Sequence, residues 1–338
     1  MSVLANEVEF RELCATRGAI PGDIEAAVAD VRQFVAFAVG HSGSLAAAGL
    51  PALRAYLAAL IDTGRNSPER LRALTRYFYV SGATELYVYM TSVLGGREVI
   101  PSWAQRTAHL AGETTRQRVF GQDGMEPPPL GTPPEANPPV TARILTALEQ
   151  ALTPSVCRDI LAANHHGIPA TAFAAEQRVF ADSGLGAMLE YRHRTLLAEL
   201  TEHAASGKPW YEQVITLEVV EVVRHNRAIQ AGILCDEAVY VTKIPFAPAD
   251  YLRETDPVRR RFLACHCPLA RSSILARGAG ALPVPPVLCY CSGGYEKWPF
   301  DVALGRATEV EVLESAMSGS DRCRFRITAP GGWKPSCP

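Results

Sequence analysis

The sequence has no run of about 20 apolar residues, the length a membrane-crossing helix needs. A chain without one is not expected to span a membrane. Its start, Met1-Ser2-Val3-Leu4-Ala5-Asn6-Glu7, lacks the basic-then-apolar order of a secretory signal, so a cytoplasmic location is expected. Positive charge is not in excess either: 33 Lys and Arg stand against 35 Asp and Glu. Gripping a phosphate backbone needs such an excess, so neither nucleic acid nor a membrane is an expected partner. Lysine is scarce, at Lys208, Lys243, Lys297 and Lys334 only. The remaining basic residues are arginine, which reads as the codon bias of a GC-rich bacterial genome and carries no mechanism. Also missing are Gly-x-x-x-x-Gly-Lys and Gly-x-Ser-x-Gly. Their absence removes support for nucleotide-phosphate binding and for a serine nucleophile.

What is present is a globular composition. The chain has 338 residues, 48% hydrophobic and 20% charged, enough for one large domain or two ordinary ones. Nine cysteines in a reducing compartment are expected as thiols.

The first part reads as helical. Pro21-Gly22-Asp23 opens a helix with Asp23 as N-cap, and Ile24, Ala27, Val28, Val31, Phe34, Val35 and Ala38 recur at helical spacing. A second helix is read from Leu45 to Ile61, stopped by Gly64. Ser67-Pro68-Glu69 starts a third, continuing from Leu71 to Leu94 and ended by Gly95-Gly96. Its tyrosines, at 77, 79, 87 and 89, suit core and interface packing. Residues 126–139, Glu-Pro-Pro-Pro-Leu-Gly-Thr-Pro-Pro-Glu-Ala-Asn-Pro-Pro, read as a stiff linker. The expected organisation is therefore a helical domain over 1–125, a linker over 126–139 and a second domain over 140–338.

Helices resume at about 140–163 and 170–205, with His165-His166-Gly167 between them. The two histidines could serve a site or simply complement a helix C-terminus. Another helix is read from Trp210 to Arg224. Then the pattern changes. Segments 228–234 and 238–244 read as strands around a Cys235-Asp236-Glu237 turn. Thr308 to Ser315 and Arg322 to Ile327 alternate like a hairpin around Ser318-Gly319-Ser320-Asp321. Helices followed by antiparallel strands make an α+β fold, here expected to enclose a small-molecule pocket.

Two Cys-x-Cys units dominate that region: Cys265-His266-Cys267-Pro268 and Cys289-Tyr290-Cys291. In extended chain each would point two thiols to one face, and Cys323 on the hairpin could join them. Pro268 also suits the first position of a helix through Leu275, which makes Cys267 an N-cap thiol with a lowered pKa. His266 is its neighbouring base. Ser292-Gly293-Gly294 ahead of a helix from Tyr295 to Leu304 gives Cys291 a similar setting, with backbone N–H groups open to an oxyanion.

Three readings of these thiols stay open. One is a zinc site from Cys265, Cys267, Cys289, Cys291 and Cys323. Another is a nucleophile, Cys267 or Cys291, assisted by His266. The last is inert buried cysteine. Lys243 is an anion-anchor candidate, and Tyr290, Tyr295 and Trp298 are candidate pocket residues. Cys14, Cys157 and Cys337 lie outside the cluster.

Several motifs together carry a resemblance. They are Val241-Thr242-Lys243-Ile244-Pro245-Phe246, Tyr251-Leu252-Arg253-Glu254-Thr255-Asp256, Cys265-His266-Cys267-Pro268, Cys289-Tyr290-Cys291-Ser292-Gly293-Gly294 and Val312-Leu313-Glu314-Ser315. Residues 210–330 resemble a bacterial domain family related to L-2-amino-thiazoline-4-carboxylic acid hydrolase-like proteins and, more distantly, to the four-vinyl-reductase-type ligand-binding domain. The resemblance implies an α+β fold around a small apolar pocket. In metal-containing relatives a closing Glu-x-x-Cys…Cys pattern helps to hold zinc. Here Val312 and Ser315 replace its first two members and only Cys323 remains.

The expectation is a cysteine-centred hydrolase- or lyase-like enzyme acting on a small molecule, with specialised metabolism as its setting. The alternative is a small-molecule sensor or carrier with Cys-ligated zinc. The cofactor is zinc or none, and the N-terminal helices offer a homodimer interface.

Overall fold

The computed structural model of the chain describes residues 4–42, 45–276 and 283–334. Its two compact units are Met1–Arg97 with Pro128–Ala136, and Glu98–Pro127 with Asn137–Pro338. The proline-rich segment is thus shared. Its first residues close the second unit's opening stretch, 128–136 pack with the first unit, and Asn137-Pro138-Pro139 form the first turn of a helix.

The first unit is helical: α1 (Glu7–Thr16), α2 (Pro21–Ser42), α3 (Leu45–Asp62), α4 (Pro68–Val80) and α5 (Thr84–Leu94). The apolar stripe of α2 buries Val28, Val31, Phe34 and Ala38 against Leu53, Leu57, Leu74 and Phe78. Ser67 caps α4, accepting from the Arg70 N–H at 3.3 Å. The expected helix through Leu94 breaks at Ser81-Gly82-Ala83, where Gly82 takes φ +71°. A left-handed glycine ends α4 and lets α5 fold back on it.

The second unit begins with α6 (Val99–Ala111), α7 (Glu113–Phe120), α8 (Asn137–Ala151), α9 (Pro154–Leu161), α10 (Ala174–Ser206) and α11 (Leu217–His225). It continues with β1 (Ile233–Cys235), β2 (Ala238–Thr242), α12 (Pro248–Arg253), α13 (Pro257–Ala264), α14 (Cys289–Leu304), β3 (Glu309–Glu314) and β4 (Arg324–Thr328). The strands form one antiparallel sheet in the order β1-β2-β4-β3. The chain is α+β. Asp236 and Glu237 both take left-handed backbone, φ 47° and 62°, which matches the twist of a two-residue hairpin turn between β1 and β2. Val239 pairs with Ile327 and Val241 with Phe325, and these four side chains make the buried face. Helix α14 lies on that face. Gly293 meets Val310 and Phe325, and a Cβ there would sit 3.2 Å from Val310. Among the described residues no helix is long and apolar enough to cross a membrane.

Three helix expectations shift in ways that bear on the site. The helix expected from Trp210 starts only at Leu217, capped by Thr216. Trp210–Gln213 is instead a tight turn, with Trp210 N–H donating to Gln213 O at 2.8 Å and Gln213 N–H returning to Trp210 O at 2.9 Å. The helix expected after Pro268 is a short 3₁₀ turn, Arg271–Ile274. The helix expected from Tyr295 starts six residues earlier, at Cys289.

Candidate functional site

Those shifts decide where the thiols go. Cys289 and Cys291 occupy the first turn of α14, so the two-residue spacing turns their side chains apart instead of onto one face. Cys289 reaches Ser315 and the Met317 backbone, whereas Cys291 lies in the field of Lys243. Cys265, Cys289, Cys291 and Cys323 are buried, and Cys267 is half-buried against the same core, with Leu288, Met317 and Phe325. The five thiols do converge, each within electrostatic range of another. Among the described residues, however, no group of three or more His, Cys, Asp or Glu is set to hold a metal ion.

The thiols are also not activated. Burial pushes Cys267 and Cys291 up to about 12 and raises Cys265, Cys289 and Cys323 as well. The lowered N-cap pKa expected for Cys267 is corrected. Pro268 leads into turns, not an α-helix, so no macrodipole opposes desolvation. The oxyanion role expected of Gly293 and Gly294 is corrected too. Both lie inside α14, and Gly294 is a packing residue: a Cβ on it would come within 2.5 Å of the Ala163 carbonyl oxygen.

The charged groups of the second unit gather instead around Lys243. This residue follows β2, where its backbone N–H donates to Cys323 O at 2.9 Å. Its side chain is 11% exposed, and Nζ lies 3.6 Å from Glu296 Oε1 and 4.7 Å from the centre of the Tyr295 ring. Burial works against the charge on this amine. Glu296, then Tyr295, Cys323 and Glu212, outweigh burial and hold it above the ordinary lysine range. At 3.6 Å the ion pair is too long for a hydrogen bond, and Nζ donates none among the described residues. Glu296 is 2% exposed, and its Oε1 likewise has no hydrogen-bond partner among the described residues. Its Oε2 faces the Gln230 amide at 3.5 Å.

Glu212 comes from the Trp210–Gln213 turn and accepts from His266 Nδ1 at 3.0 Å. The other nitrogen of His266 donates to Ile244 O. Both ring nitrogens therefore face oxygen acceptors. Burial would raise the Glu212 carboxyl, but the His266 bond and charge, with Lys243, prevail and lower it. Gln213 stands beside the same ring at 3.5 Å, and its buried Oε1 has no hydrogen-bond partner among the described residues. His166 lies at the rim, edge-on to Tyr295 at 5.5 Å. The protein around it, then Lys243, disfavours its charged form, with Glu212 opposing.

Two strained backbones bracket this cluster. Tyr211 takes φ +50° and Gln230 φ +61°, left-handed values that cost a non-glycine residue free energy. Arg192 steadies the second, donating to Gln230 O at 3.1 Å while pairing with Glu176 at 3.5 Å.

Of the residues expected from sequence, Lys243, Tyr295, His266, Cys267 and Cys291 come together. Trp298 does not face them with its polar edge; its Nε1 donates to Ile168 O at 2.9 Å and so ties down the loop that carries His166. Tyr290 lines a separate groove of about 480 Å³ with Glu149, Cys157, Arg158 and Val312. His165 is a satisfied core residue, accepting from Ser102 Oγ at 2.8 Å and donating to Ile160 O at 2.8 Å. Glu212, Gln213, Gln230 and Glu296 were not expected. Cys337 lies outside the described residues. Comparison of the chain with protein-family models, with curated proteins and with solved structures finds no match.

Proposed function

We propose that the second unit binds a small molecule bearing a carboxylate and an adjacent N–H group, and acts on it by acid–base chemistry of a hydrolase or lyase kind. The observation that carries this reading is the Lys243 amine: nearly buried, held charged, and donating no hydrogen bond among the described residues. The ion pair with Glu296 supports the charge but leaves the ammonium N–H donors without a hydrogen bond, a cost of about 1–3 kcal/mol that a ligand acceptor would remove. The carboxylate of the ligand would accept from Nζ. Its N–H donors would meet Glu296 Oε1 and Gln213 Oε1, buried acceptors that have no hydrogen-bond partner among the described residues.

Glu212 is the ionised carboxylate of the cluster and can accept a proton, as a weaker base than an ordinary carboxylate. His266, with both nitrogens engaged, positions Glu212 and does not itself reach substrate. Cys267 and Cys291 then serve as neutral thiols lining the site beside Lys243, not as nucleophiles. If residues 210–330 belong with the family related to the amino-thiazoline-carboxylate hydrolase-like proteins, as their motifs suggest, the same class of ligand is implied, a small heteroatom-rich carboxylate. A reducing cytoplasmic setting suits the thiols.

The experiment is ligand-detected NMR on the full chain with acetate, benzoate, L-alanine and 2-amino-thiazoline-4-carboxylate, followed by mass-spectrometric assay for turnover. At least one carboxylate should bind saturably, and Lys243→Met should weaken it at least about thirtyfold, the worth of a charge-assisted bond. Binding by none of the four, or undiminished binding by a folded Lys243→Met variant, overturns the reading.

A further inference from the structure

Tyr295 and Glu296 are consecutive on α14, and side chains one residue apart on a helix point about 100° away from each other. Both nevertheless reach the same ammonium. Glu296 Oε1 lies 3.6 Å from Lys243 Nζ, and the centre of the Tyr295 ring lies 4.7 Å from it. The two residues therefore approach Lys243 from different sides, and they bring opposite chemistry. Glu296 Oε1 is a buried acceptor with no hydrogen-bond partner among the described residues. Tyr295, half-buried, offers a hydroxyl. Its ring is engaged, beneath Lys243 and edge-on to His166, yet the hydroxyl makes no hydrogen bond among the described residues. Burial pushes the phenol up to about 12, with Lys243 opposing and Glu296 and Glu212 adding to it. At pH 7 the hydroxyl keeps its proton and is a donor. A charged donor thus stands with an acceptor on one side and a neutral donor on another.

We infer that Tyr295 determines specificity: its hydroxyl donates to a carbonyl oxygen of the ligand, and the molecule taken is an N-acylamino acid. The inference rests on the proposed carboxylate site and names the group carried on the ligand's N–H. A trans amide has its N–H and its C=O on opposite edges. In an N-acylamino acid that amide is one carbon away from the carboxylate. With the carboxylate on Lys243, the amide N–H meets Glu296 and the acyl carbonyl turns to Tyr295. A simple carboxylate would leave both the hydroxyl and Glu296 Oε1 unanswered. A site built to hydrogen-bond a polar group disfavours analogues that lack it, because its own groups then stay unpaired.

The test measures the affinity of the full chain, native and Tyr295→Phe, for acetate, levulinate and N-acetylglycine. Levulinate keeps the carbonyl of N-acetylglycine and has a methylene in place of its N–H. The native chain should bind N-acetylglycine most tightly, levulinate next and acetate least, each step being about tenfold, the scale of one hydrogen bond. Tyr295→Phe keeps the ring beneath Lys243 and removes only the hydroxyl. Its affinity for N-acetylglycine and for levulinate should fall about tenfold, while acetate changes by less than about twofold and the urea midpoint stays in place. Four results overturn the inference and leave the carboxylate site standing: N-acetylglycine bound no more tightly than acetate by the native chain, undiminished N-acetylglycine binding by Tyr295→Phe, equal losses for all three probes, or a lowered urea midpoint that marks a structural role. The comparison of probes on the native chain decides the matter even if the variant does not fold. Binding of none of the three also overturns the inference, and the site falls with it only if benzoate, L-alanine and 2-amino-thiazoline-4-carboxylate go unbound as well.

Discussion

Lys243 Nζ and Glu296 Oε1 face each other at 3.6 Å inside the second unit, close enough for the carboxylate to favour the charged amine and too far to share a hydrogen bond. Neither partner can be removed without stranding the other. Lys243→Met or Glu296→Gln should each destabilise the fold by about 3 kcal/mol, since each leaves a buried ion uncompensated. The double variant, Lys243→Met with Glu296→Gln, should cost less than the sum, with a coupling of about 1–2 kcal/mol. Urea unfolding at pH 7 measures all three. Strict additivity would mean that the two side chains do not sense each other.

The thiols give a second expected outcome. Cys267 and Cys291, pushed up to about 12, are almost wholly protonated at pH 8, with roughly one in ten thousand as thiolate. Cys235 is exposed in the β1–β2 turn; the Asp236 carboxylate beside it raises its thiol, but nothing covers it. Iodoacetamide followed by peptide mapping should label Cys235 well before any of the five core thiols, which should react only when the chain unfolds. Labelling of Cys267 or Cys291 at the rate of Cys235 would restore a cysteine-centred mechanism.

The contrast between these two sets of residues shows what the sequence made legible. Period-two alternation marks β2, β3 and β4 without ambiguity, because one face of the sheet is covered by α14 and must be apolar. Lys243, Tyr295 and His266 stand out by rarity or by neighbouring motif. Glu212 does not, because apolar spacing over 210–224 extends a helix backward through it. Only Thr216, a capping residue ahead of Leu217, hints at the true start. Glu296 is hidden differently: a carboxylate on a helix is normally solvated, and its burial depends on Gln230 and Lys243, both more than 50 positions away. The Cys-x-Cys spacing misleads because it means one face in a strand and opposite faces in a helix. Composition cannot say that α14 begins at Cys289.

His165 provides a pH test. Its ring is 2% exposed, and burial, helped by His166 and Arg106 and opposed by the backbone carbonyl of Ile160, pulls its pKa from 6.5 to about 4. The folded value is below the unfolded one, so the unfolded chain binds the proton first. The stability contributed by the neutral ring is fully present above about pH 6.5 and is lost as pH falls toward 4, by about 3 kcal/mol for a shift of this size. Below pH 4 both states are protonated and the slope from this residue ends. His165→Gln should be less stable at pH 7 and should flatten the stability profile between pH 6.5 and 4. An unchanged profile would show that another group carries the acid sensitivity.

Gly294 fixes the helix on which Tyr295 and Glu296 ride. A Cβ added to it would sit 2.5 Å from the Ala163 carbonyl oxygen and 2.7 Å from the Ala162 carbonyl carbon, and both are backbone atoms that cannot rotate away. Gly293, one residue earlier, would meet side chains, the Val310 methyl groups at 3.2 Å and the Phe325 ring at 3.6 Å, and a side chain can yield by a small rotation. Gly294→Ala should therefore destabilise by about 3 kcal/mol, the upper range for overpacking, and Gly293→Ala by about 1 kcal/mol. Alanine favours a helix more than glycine by about 1 kcal/mol, which works against both losses and leaves Gly293→Ala near neutral. Because α14 must shift as a body to admit the Gly294 methyl group, Gly294→Ala should also move Glu296 away from Lys243. The ammonium would then lose its principal support, and carboxylate binding at pH 7 should weaken in this variant but not in Gly293→Ala. Equal stability and equal binding in the two variants would show that the backbone after α9 yields as readily as a side chain does.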